Sequence, residues 1–347
     1  MLNTVTRLLR RKPARKRVSL ALQGGGAHGA YTWGVLDYLL EDGRIEIAGI
    51  SGASAGAVNA VMLADGLARG GPDEARQRLA DFWRAASLGG NLPGAQRAVV
   101  ERMMSFVPLE GTPVKFFFDT MSRFLSPYDV NPLNINPLKD LIGRFVDFDA
   151  VRECRNLDLF ISATNVHSGR MRVFSRDEIS ADVVMASAAL PLVFQAVEID
   201  GESYWDGGFT GNPPILPLVE NAGSGDILLV QITPLQRDDT PTAARDIMQR
   251  VSEITFSSAV DAELRAIEHF GKREENGKSI RVHRIALQST DRRLTADSRL
   301  QTDFDFFSLL HRAGRRAARR FLDQHFADIG VRGTHDVPEQ QPEAQSA

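Results

Sequence analysis

The chain of 347 residues has a single cysteine, Cys154, which excludes an intramolecular disulfide framework. It also lacks any apolar run of the roughly 18 residues that a membrane-spanning helix requires. Its basic N-terminus lacks the apolar core that follows the charges in a secretory signal. These absences predict a cytoplasmic protein, with peripheral contact at a membrane as an additional possibility.

Acidic residues are missing before Asp37, although the whole chain carries a net charge of −3. Residues 1–17 hold seven basic side chains, so the remaining 34 basic residues face 44 acidic ones and leave about −10. We interpret residues 1–17 as a disordered basic segment, and a short interfacial helix on an anionic membrane is the alternative.

The composition otherwise predicts one folded domain. Hydrophobic residues make up 43% of the chain and charged residues 24%, which is ordinary for a protein with a buried core. We place that domain at residues 18–329. Residues 330–347 are rich in proline, glutamine and glutamate, and we interpret them as a disordered tail.

The order of apolar segments predicts an α/β fold. Short apolar runs alternate with segments of helical spacing, which is typical of a mainly parallel sheet with helices on its faces. The predicted strands are residues 18–22, 45–51, 157–166, 226–233 and 280–287, with a further extended segment at 197–205. The predicted helices are residues 31–40, 55–67, 181–188, 243–270 and 304–326.

Residues 87–147 interrupt this regularity. They contain six prolines, three consecutive phenylalanines at 116–118, and the pair Met103 and Met104. A segment so apolar and so irregular is either packed core or a mobile cap over a lipid-like ligand. The sequence leaves both interpretations open, and we carry the segment forward as a cap insertion.

The first candidate catalytic motif is Gly-Ala-Ser-Ala-Gly at residues 52–56, between a predicted strand and a predicted helix. Its glycines, Gly52 and Gly56, permit the sharp turn that lifts a serine hydroxyl out of a sheet. Ser54 then lies at a helix N-terminus, where amide groups and the helix dipole favour negative charge. The pattern predicts a serine nucleophile, although alone it is a weak signal in a chain with 29 glycines.

A glycine loop, Gly24, Gly25 and Gly26, follows the first predicted strand. Backbone amides in such a loop approach an anion closely, which predicts an oxyanion-binding turn. An ordinary tight turn is one alternative. A dinucleotide-binding turn is another, because Gly24, Gly26 and Gly29 match its spacing and Asp42 lies roughly where its acidic residue belongs.

Asp206 follows the extended segment 197–205 and precedes Gly207 and Gly208. On its own, an Asp-Gly pair is typical of an ordinary turn. A serine hydroxyl, however, is a poor nucleophile until a base takes its proton and the site stabilises the oxyanion. We therefore interpret Ser54 and Asp206 as the nucleophile and the base of an acyl transfer that uses no histidine.

Taken together, these motifs resemble the bacterial branch of the patatin-like phospholipase family. The resemblance covers residues 18–217 and has four parts in the family's order. They are the glycine loop at 24–26, the serine motif at 52–56, the run Ser-Ala-Ala-Leu-Pro-Leu-Val-Phe at 187–194, and Asp206-Gly207-Gly208 followed by Asn212 and Pro213.

The resemblance implies a three-layer α/β/α fold in which Ser54 attacks an ester carbonyl and Asp206 accepts its proton directly. It also implies that the amides of Gly25 and Gly26, with that of Ala55, hold the oxyanion before water hydrolyses the acyl-enzyme. Asp206 should be partly desolvated, because only then is it basic enough near neutral pH. No cofactor is implied.

His28 departs from the family, in which arginine or lysine commonly stands two positions after the third glycine. We expect His28 to face solvent or a helix end, and its presence puts in doubt a fixed positive charge at this place. The other six histidines show no convincing metal-ligand spacing, so no metal site is predicted.

Five arginines share one face of the predicted C-terminal helix, opposite an apolar face. We interpret them as a solvated face, with docking to anionic lipid headgroups as the alternative. Nucleic acid is not expected as a partner, because the protein is acidic overall and its aromatic residues are not interleaved with these arginines. The five are Arg312, Arg315, Arg316, Arg319 and Arg320.

The sequence thus predicts a serine acyl-ester hydrolase for lipid substrates, of the phospholipase A or lysophospholipase type. An intracellular polyester (hydroxyalkanoate) depolymerase and a neutral-lipid esterase stay open, because substrate choice depends on the pocket. A catalytically idle lipid-binding protein is the alternative from another class. A nucleotide-dependent oxidoreductase comes third and relies on the glycine loop alone.

Overall fold

The computed structural model describes residues 15–87, 126–221, 223–233, 240–270, 280–287 and 297–335. Residues 1–14, residues 88–125 of the predicted cap and residues 336–347 of the predicted tail lie outside the described residues, and the predictions made for them stay predictions.

An eight-stranded sheet forms the centre of the fold. Its strands are β1 (Lys16–Leu22), β2 (Ile45–Gly52), β3 (Asp158–Asn165), β4 (Met171–Ser175), β5 (Val197–Ile199), β6 (Glu202–Asp206), β7 (Asp226–Gln231) and β8 (Arg281–Ala286). The strand order is β5-β6-β3-β2-β1-β7-β8, and β4 pairs with β3 off this path. The run from β3 to β8 is parallel, whereas β4, β5 and β6 pair antiparallel.

Helices connect the parallel strands. Within the described residues they are α1 (Gly29–Asp42), α2 (Ala55–Arg69), α3 (Pro72–Ala85), α4 (Pro127–Val130), α5 (Pro137–Phe145), α6 (Phe148–Glu153), α7 (Ala181–Ala188), α8 (Leu216–Asn221), α9 (Ala244–Phe270) and α10 (Phe304–His325). Short 3-10 turns cover Gly26–His28, Arg176–Glu178, Gly207–Phe209 and Asp297–Leu300.

The sheet buries a separate hydrophobic core on each face. Along β1, Leu20 points into the core that contains α1, α2, α3, α7 and α10, whereas its neighbour Ala21 points into the core that contains α8 and α9. Along β7, Leu228 and Leu229 divide between the two cores in the same way. This alternation follows from the two-residue period of a strand. The three-layer α/β/α fold is therefore confirmed.

The ends of the folded region differ slightly from the sequence-based boundaries. β1 begins at Lys16, so residues 16 and 17 of the predicted N-terminal segment belong to the sheet. At the other end, Thr334 donates its amide hydrogen to Val282 O of β8 at 2.8 Å. Residues 330–335 therefore pack against the domain rather than beginning the tail, because β8 offers an edge for them to bond.

The central strand β3 brings the two halves of the candidate site together. Gly52, the last residue of β2, pairs with Ile161, and Asp206, the last residue of β6, pairs with Ala163. The ends of β2 and β6 thus meet two residues apart along the same strand, although the two motifs lie far apart in the sequence.

Candidate active site

Ser54 lies on a sharp turn between β2 and α2, as the motif predicts. It is the residue that precedes the first turn of α2, with φ of 54° and ψ of −125°, and it is 7% exposed. A non-glycine residue in this backbone region costs on the order of 1–3 kcal/mol and persists only where its surroundings hold it. The strain at Ser54 is consistent with a residue placed for chemistry.

The motif glycines are required by close packing. A Cβ at Gly56 would lie 2.0 Å from Leu22 O, and one at Gly24 would lie 2.5 Å from the Cβ of Ser54. The turn can therefore fold against the end of β1 only without side chains at these positions. A Cβ would come within 3.0 Å of a neighbouring atom at each of Gly24, Gly25, Gly26, Gly52, Gly56, Gly207 and Gly208.

The C-terminal end of α7 and the residue that follows it hold both candidate catalytic residues in place. Ser187 Oγ, which is fully buried, accepts a hydrogen bond of 2.9 Å from Ser54 N. Two residues on, Ala189 O accepts one of 2.9 Å from Asp206 N. Thr164 of β3 fixes Asp206 from the other side, since its hydroxyl donates to Asp206 O at 2.8 Å. The run at 187–194 therefore sets the separation between Ser54 and Asp206.

Asp206 is completely buried, and burial raises its pKa to about 7. The Gly208 amide donates to Oδ1 at 2.7 Å and opposes this rise, as does the neighbouring Ser54 side chain to a smaller extent. Oδ2 has no partner in hydrogen-bonding geometry within the described part of the chain. Such a carboxylate is basic near neutral pH, and its Oδ2 is available to accept the proton of Ser54.

One backbone amide of the glycine loop already donates a hydrogen bond within the protein. Gly24 N donates to Asn212 Oδ1 at 2.6 Å, so it is occupied by the protein itself. The amides of Gly25, Gly26 and Ala55 have no acceptor in hydrogen-bonding geometry among the residues that the structure describes. These three donors match the oxyanion-binding set that the family resemblance implies.

Gln23 and Asn212 fix the loop to the sheet. Gln23 Oε1 accepts hydrogen bonds of 2.7 Å from the amides of Ile232 and Thr233, just beyond β7. Asn212 Nδ2 donates to Phe256 O of α9 at 2.9 Å. The loop is therefore held on both flanks, which fits a preorganised anion site.

His28 is buried rather than facing solvent, and it lies at a helix end directly before α1, which is the second of the two placements that we expected. Its Nε2 is 2.7 Å from Ser298 Oγ. Burial, together with the charge of Arg299, lowers the pKa of His28 to about 3. His28 is consequently neutral at physiological pH and supplies no positive charge to the loop.

Asp42 is not placed to serve as the acidic residue that the dinucleotide-binding alternative requires. Asp42 ends α1 and precedes β2, whereas the fingerprint requires an acid placed to bind a ribose. Its carboxylate instead accepts hydrogen bonds from Arg44 Nε at 2.7 Å and Nη2 at 2.9 Å. The loop at 24–26 is also closed by the serine turn, since Gly24 touches Ser54.

Two cavities meet at Ser54. The smaller, of about 250 Å³, runs between α2, α3 and α10 and is walled by Phe82, Trp83 and Phe307. The larger, of about 530 Å³, opens towards α9 and is walled by Phe209 and Phe256. Both are predominantly apolar, as binding sites for apolar ligands usually are. The residues that line both cavities are Gly26, Ser54, Leu190, Val193 and Arg299.

The five arginines of α10 do not form one free cationic face. Arg315 turns inward and forms ion pairs with Asp37 and Glu41 of α1. Arg312, Arg316 and Arg319 are exposed. The prediction of a solvated face therefore fits these three positions, and Arg315 connects α10 to α1.

Within the described ranges, no three His, Cys, Asp or Glu residues are grouped so that they could hold a metal ion. In those ranges, no helix combines the length and apolar character needed to cross a bilayer.

The geometry has a counterpart among known protein families. The family model for the patatin-like phospholipases matches residues 20–219. The match covers more than half of the chain and all four motifs, so the chain belongs to the patatin-like phospholipase family. This membership supports hydrolysis of lipid esters as its class of reaction. Among curated proteins, none matches the chain.

Solved structures of two bacterial proteins are similar. VipD from Legionella pneumophila is 17% identical with a TM-score of 0.41, over 90% of this chain and 68% of that one. The type III effector protein ExoU from Pseudomonas aeruginosa is 16% identical with a TM-score of 0.36, over 90% of this chain and 54% of that one. The chain thus spans about half the length of ExoU.

Proposed function

We propose that the protein is a serine phospholipase of the A or lysophospholipase type, with Ser54 as the nucleophile and Asp206 as the general base. The observation that carries the proposal is the buried Asp206 carboxylate. Its pKa is raised to about 7, and among the described residues its Oδ2 has no hydrogen-bond partner, beside a strained serine. Groups perturbed in this way occur where proton transfer is needed.

In the proposed reaction, Ser54 is the nucleophile and Asp206 transfers the protons. Ser54 Oγ attacks the ester carbonyl carbon while its proton moves to Asp206, and the amides of Gly25, Gly26 and Ala55 hold the oxyanion. The intermediate collapses, the C–O bond to the alcohol breaks, and the alcohol leaves with the proton from Asp206. Water, deprotonated by Asp206, then releases the fatty acid and regenerates Ser54.

The cavities support an acyl chain and a leaving group on opposite sides of Ser54. The smaller cavity is enclosed by aromatic and aliphatic side chains and suits an acyl chain, because apolar burial stabilises its methylene groups. The larger cavity is more spacious and suits the alcohol part of the substrate. Ser54 lines both, which places the reacting carbonyl where the two meet.

The mouth of the larger cavity has exposed apolar side chains, which supports substrates presented by a lipid aggregate. Leu192 is 86% exposed and Met248 is 68% exposed. Met248, Ser252 and Phe256 follow each other at four-residue intervals along one face of α9. This face leads from the protein surface at Met248 to the cavity wall at Phe256.

The purified protein should release fatty acid from phospholipid in mixed micelles. We expect a lysophospholipid and a fatty acid from a diacyl phospholipid, measured by mass spectrometry of the products with distinct chains at the two positions. Release of a phosphorylated headgroup would contradict an acyl-ester hydrolase. Turnover of a polyhydroxyalkanoate or a triacylglycerol without turnover of any phospholipid would favour the other members of the class.

We also propose peripheral contact with anionic membranes through the basic N-terminus. Deleting residues 1–14 removes four cations and leaves β1 intact. At about 1 kcal/mol for each cation near a charged surface, vesicle binding should weaken by at least tenfold at low salt. Vesicle co-sedimentation measures this loss, with hydrolysis of a soluble ester as the control. Equal binding by both proteins would reject the membrane contact.

A further inference from the structure

Arg299 is a charged residue that lies beside the candidate oxyanion loop. It belongs to the 3-10 turn Asp297–Leu300, and its backbone oxygen packs against Gly26, where a Cβ would lie 2.3 Å from it. The residue lines both cavities together with Ser54. Arg299 therefore lies at the wall that a bound substrate would touch.

In the part of the chain that the structure describes, the positive charge of the Arg299 guanidinium has few hydrogen-bonding or ionic partners. Within the described ranges, this guanidinium has one hydrogen bond, from Nη2 to Thr233 Oγ1 at 3.3 Å. Among the described residues, no carboxylate lies within the 4 Å of an ion pair with it. Glu253 acts on it only at longer range and itself accepts a hydrogen bond from Gln249 Nε2 at 3.0 Å. An arginine has five N–H donors, so most of them are free for a ligand.

A partly buried cation without a nearby anion is costly unless a ligand completes it. Burial lowers the pKa of Arg299, which is the physical sign of that cost. His28, which is neutral, does not share the role. Arg299 is therefore the cation that remains at the junction of the two cavities.

We propose that Arg299 binds the phosphate group of the ester substrate and so makes phosphate-bearing lipids the preferred substrates. The proposal rests on the function proposed above. A guanidinium matches the geometry of phosphate oxygens through paired hydrogen bonds. In a glycerophospholipid the phosphate is a few bonds from the ester that is cleaved. A carbonyl at Ser54 and a phosphate at Arg299 therefore fit one molecule.

The test compares two esters with the same acyl chains, a short-chain phosphatidylcholine and the corresponding diacylglycerol, both kept below the concentration at which they aggregate. Arg299→Gln should lower kcat/KM for the phospholipid by roughly tenfold or more, mainly through KM. For the diacylglycerol we expect a change of less than about twofold, since that ester lacks the phosphate. Arg299→Lys keeps the charge without the paired geometry and should fall between these limits.

Arg312→Gln is the matched control, because it removes the same charge from an exposed position of α10. It should leave both substrates unaffected. An equal fall for both esters in Arg299→Gln would overturn the proposal and assign Arg299 to the reacting carbonyl or to folding. Unchanged phospholipid kinetics would overturn it too. Absence of any ester hydrolysis by the wild type would instead reject the proposed function, so the two failures are distinguishable.

Discussion

Replacing Ser54 by alanine should reduce ester hydrolysis by roughly 10⁴-fold or more, because Ser54 is the nucleophile that the proposed mechanism uses. The structure should tolerate the change. Alanine keeps the backbone amide that donates to Ser187 Oγ and has the same Cβ in the strained turn. We therefore expect the thermal midpoint to stay within a few degrees of the wild type. Steady-state hydrolysis of a soluble ester and thermal unfolding measure the two quantities.

Ser51→Ala is the matched control for this variant. Ser51 lies one residue before the end of β2, the strand that leads to Ser54; it is fully buried, and its hydroxyl has no hydrogen-bond partner in the described structure. Its removal should leave activity unchanged and cost little stability. A large loss of stability in Ser54→Ala with modest loss of activity would make Ser54 a structural residue.

Replacing Asp206 by asparagine should lower kcat by about 10²–10⁴-fold, which is the usual contribution of a general base. In the wild type, kcat/KM should rise with pH and level off above the pKa of about 7, because Asp206 accepts a proton only when ionised. The residual activity of Asp206→Asn should lack this titration. A wild-type profile that is flat between pH 5 and pH 8 would contradict the role of Asp206.

The same pKa has a consequence for stability with a defined sign. Asp206 is protonated in the folded protein up to about pH 7, whereas in the unfolded chain it ionises near pH 4. The folded state thus binds more protons between these values, so its contribution to stability is present at low pH and is lost as pH rises to about 7. The loss amounts to about 1.4 kcal/mol for each pH unit.

Asp206→Asn removes this loss because asparagine does not titrate. Relative to wild type, the variant should gain roughly 2–3 kcal/mol of unfolding free energy between pH 5 and pH 7. Denaturant unfolding at both pH values measures the difference. Asp65→Asn is a matched control, since Asp65 is another buried carboxyl group whose pKa is raised by burial and it does not line either cavity. It should retain hydrolysis.

The sequence predicted the strands and helices well where the chain is strongly periodic. The helix at residues 181–188 has the predicted bounds, and β2 and α9 differ from their predictions by one residue. Strong apolar spacing over a whole element leaves little choice of conformation. Outside such segments the predictions were incomplete. The helix α3 and the strand β4 were not predicted, and β4 alternates only weakly in burial.

The segment 197–205 was predicted only as extended, although it contains a local signal for a turn. It is a hairpin, β5 and β6, whose turn holds Asp200 and Gly201 at φ of 51° and 81°. Asp-Gly is the pair that favours such turns.

The supporting residues of the site could not be predicted from the chain alone. Ser187 reaches Ser54, and Arg299 reaches the glycine loop, only because the sheet brings these distant segments together. The family resemblance includes Ser187 in the run at 187–194 but gives it no role, and no local pattern distinguishes Arg299. The burial of His28 could not be predicted for the same reason, since it depends on Ser298 and the turn around it.

Intact-protein mass spectrometry after reaction with a fluorophosphonate tests the central claim most directly. The reagent bonds to an activated serine oxygen with loss of fluoride. We predict one adduct on Ser54 in the wild type, none in Ser54→Ala, and slowed formation in Asp206→Asn. An adduct on another residue, or labelling of Asp206→Asn at the wild-type rate, would contradict the Ser54–Asp206 pair.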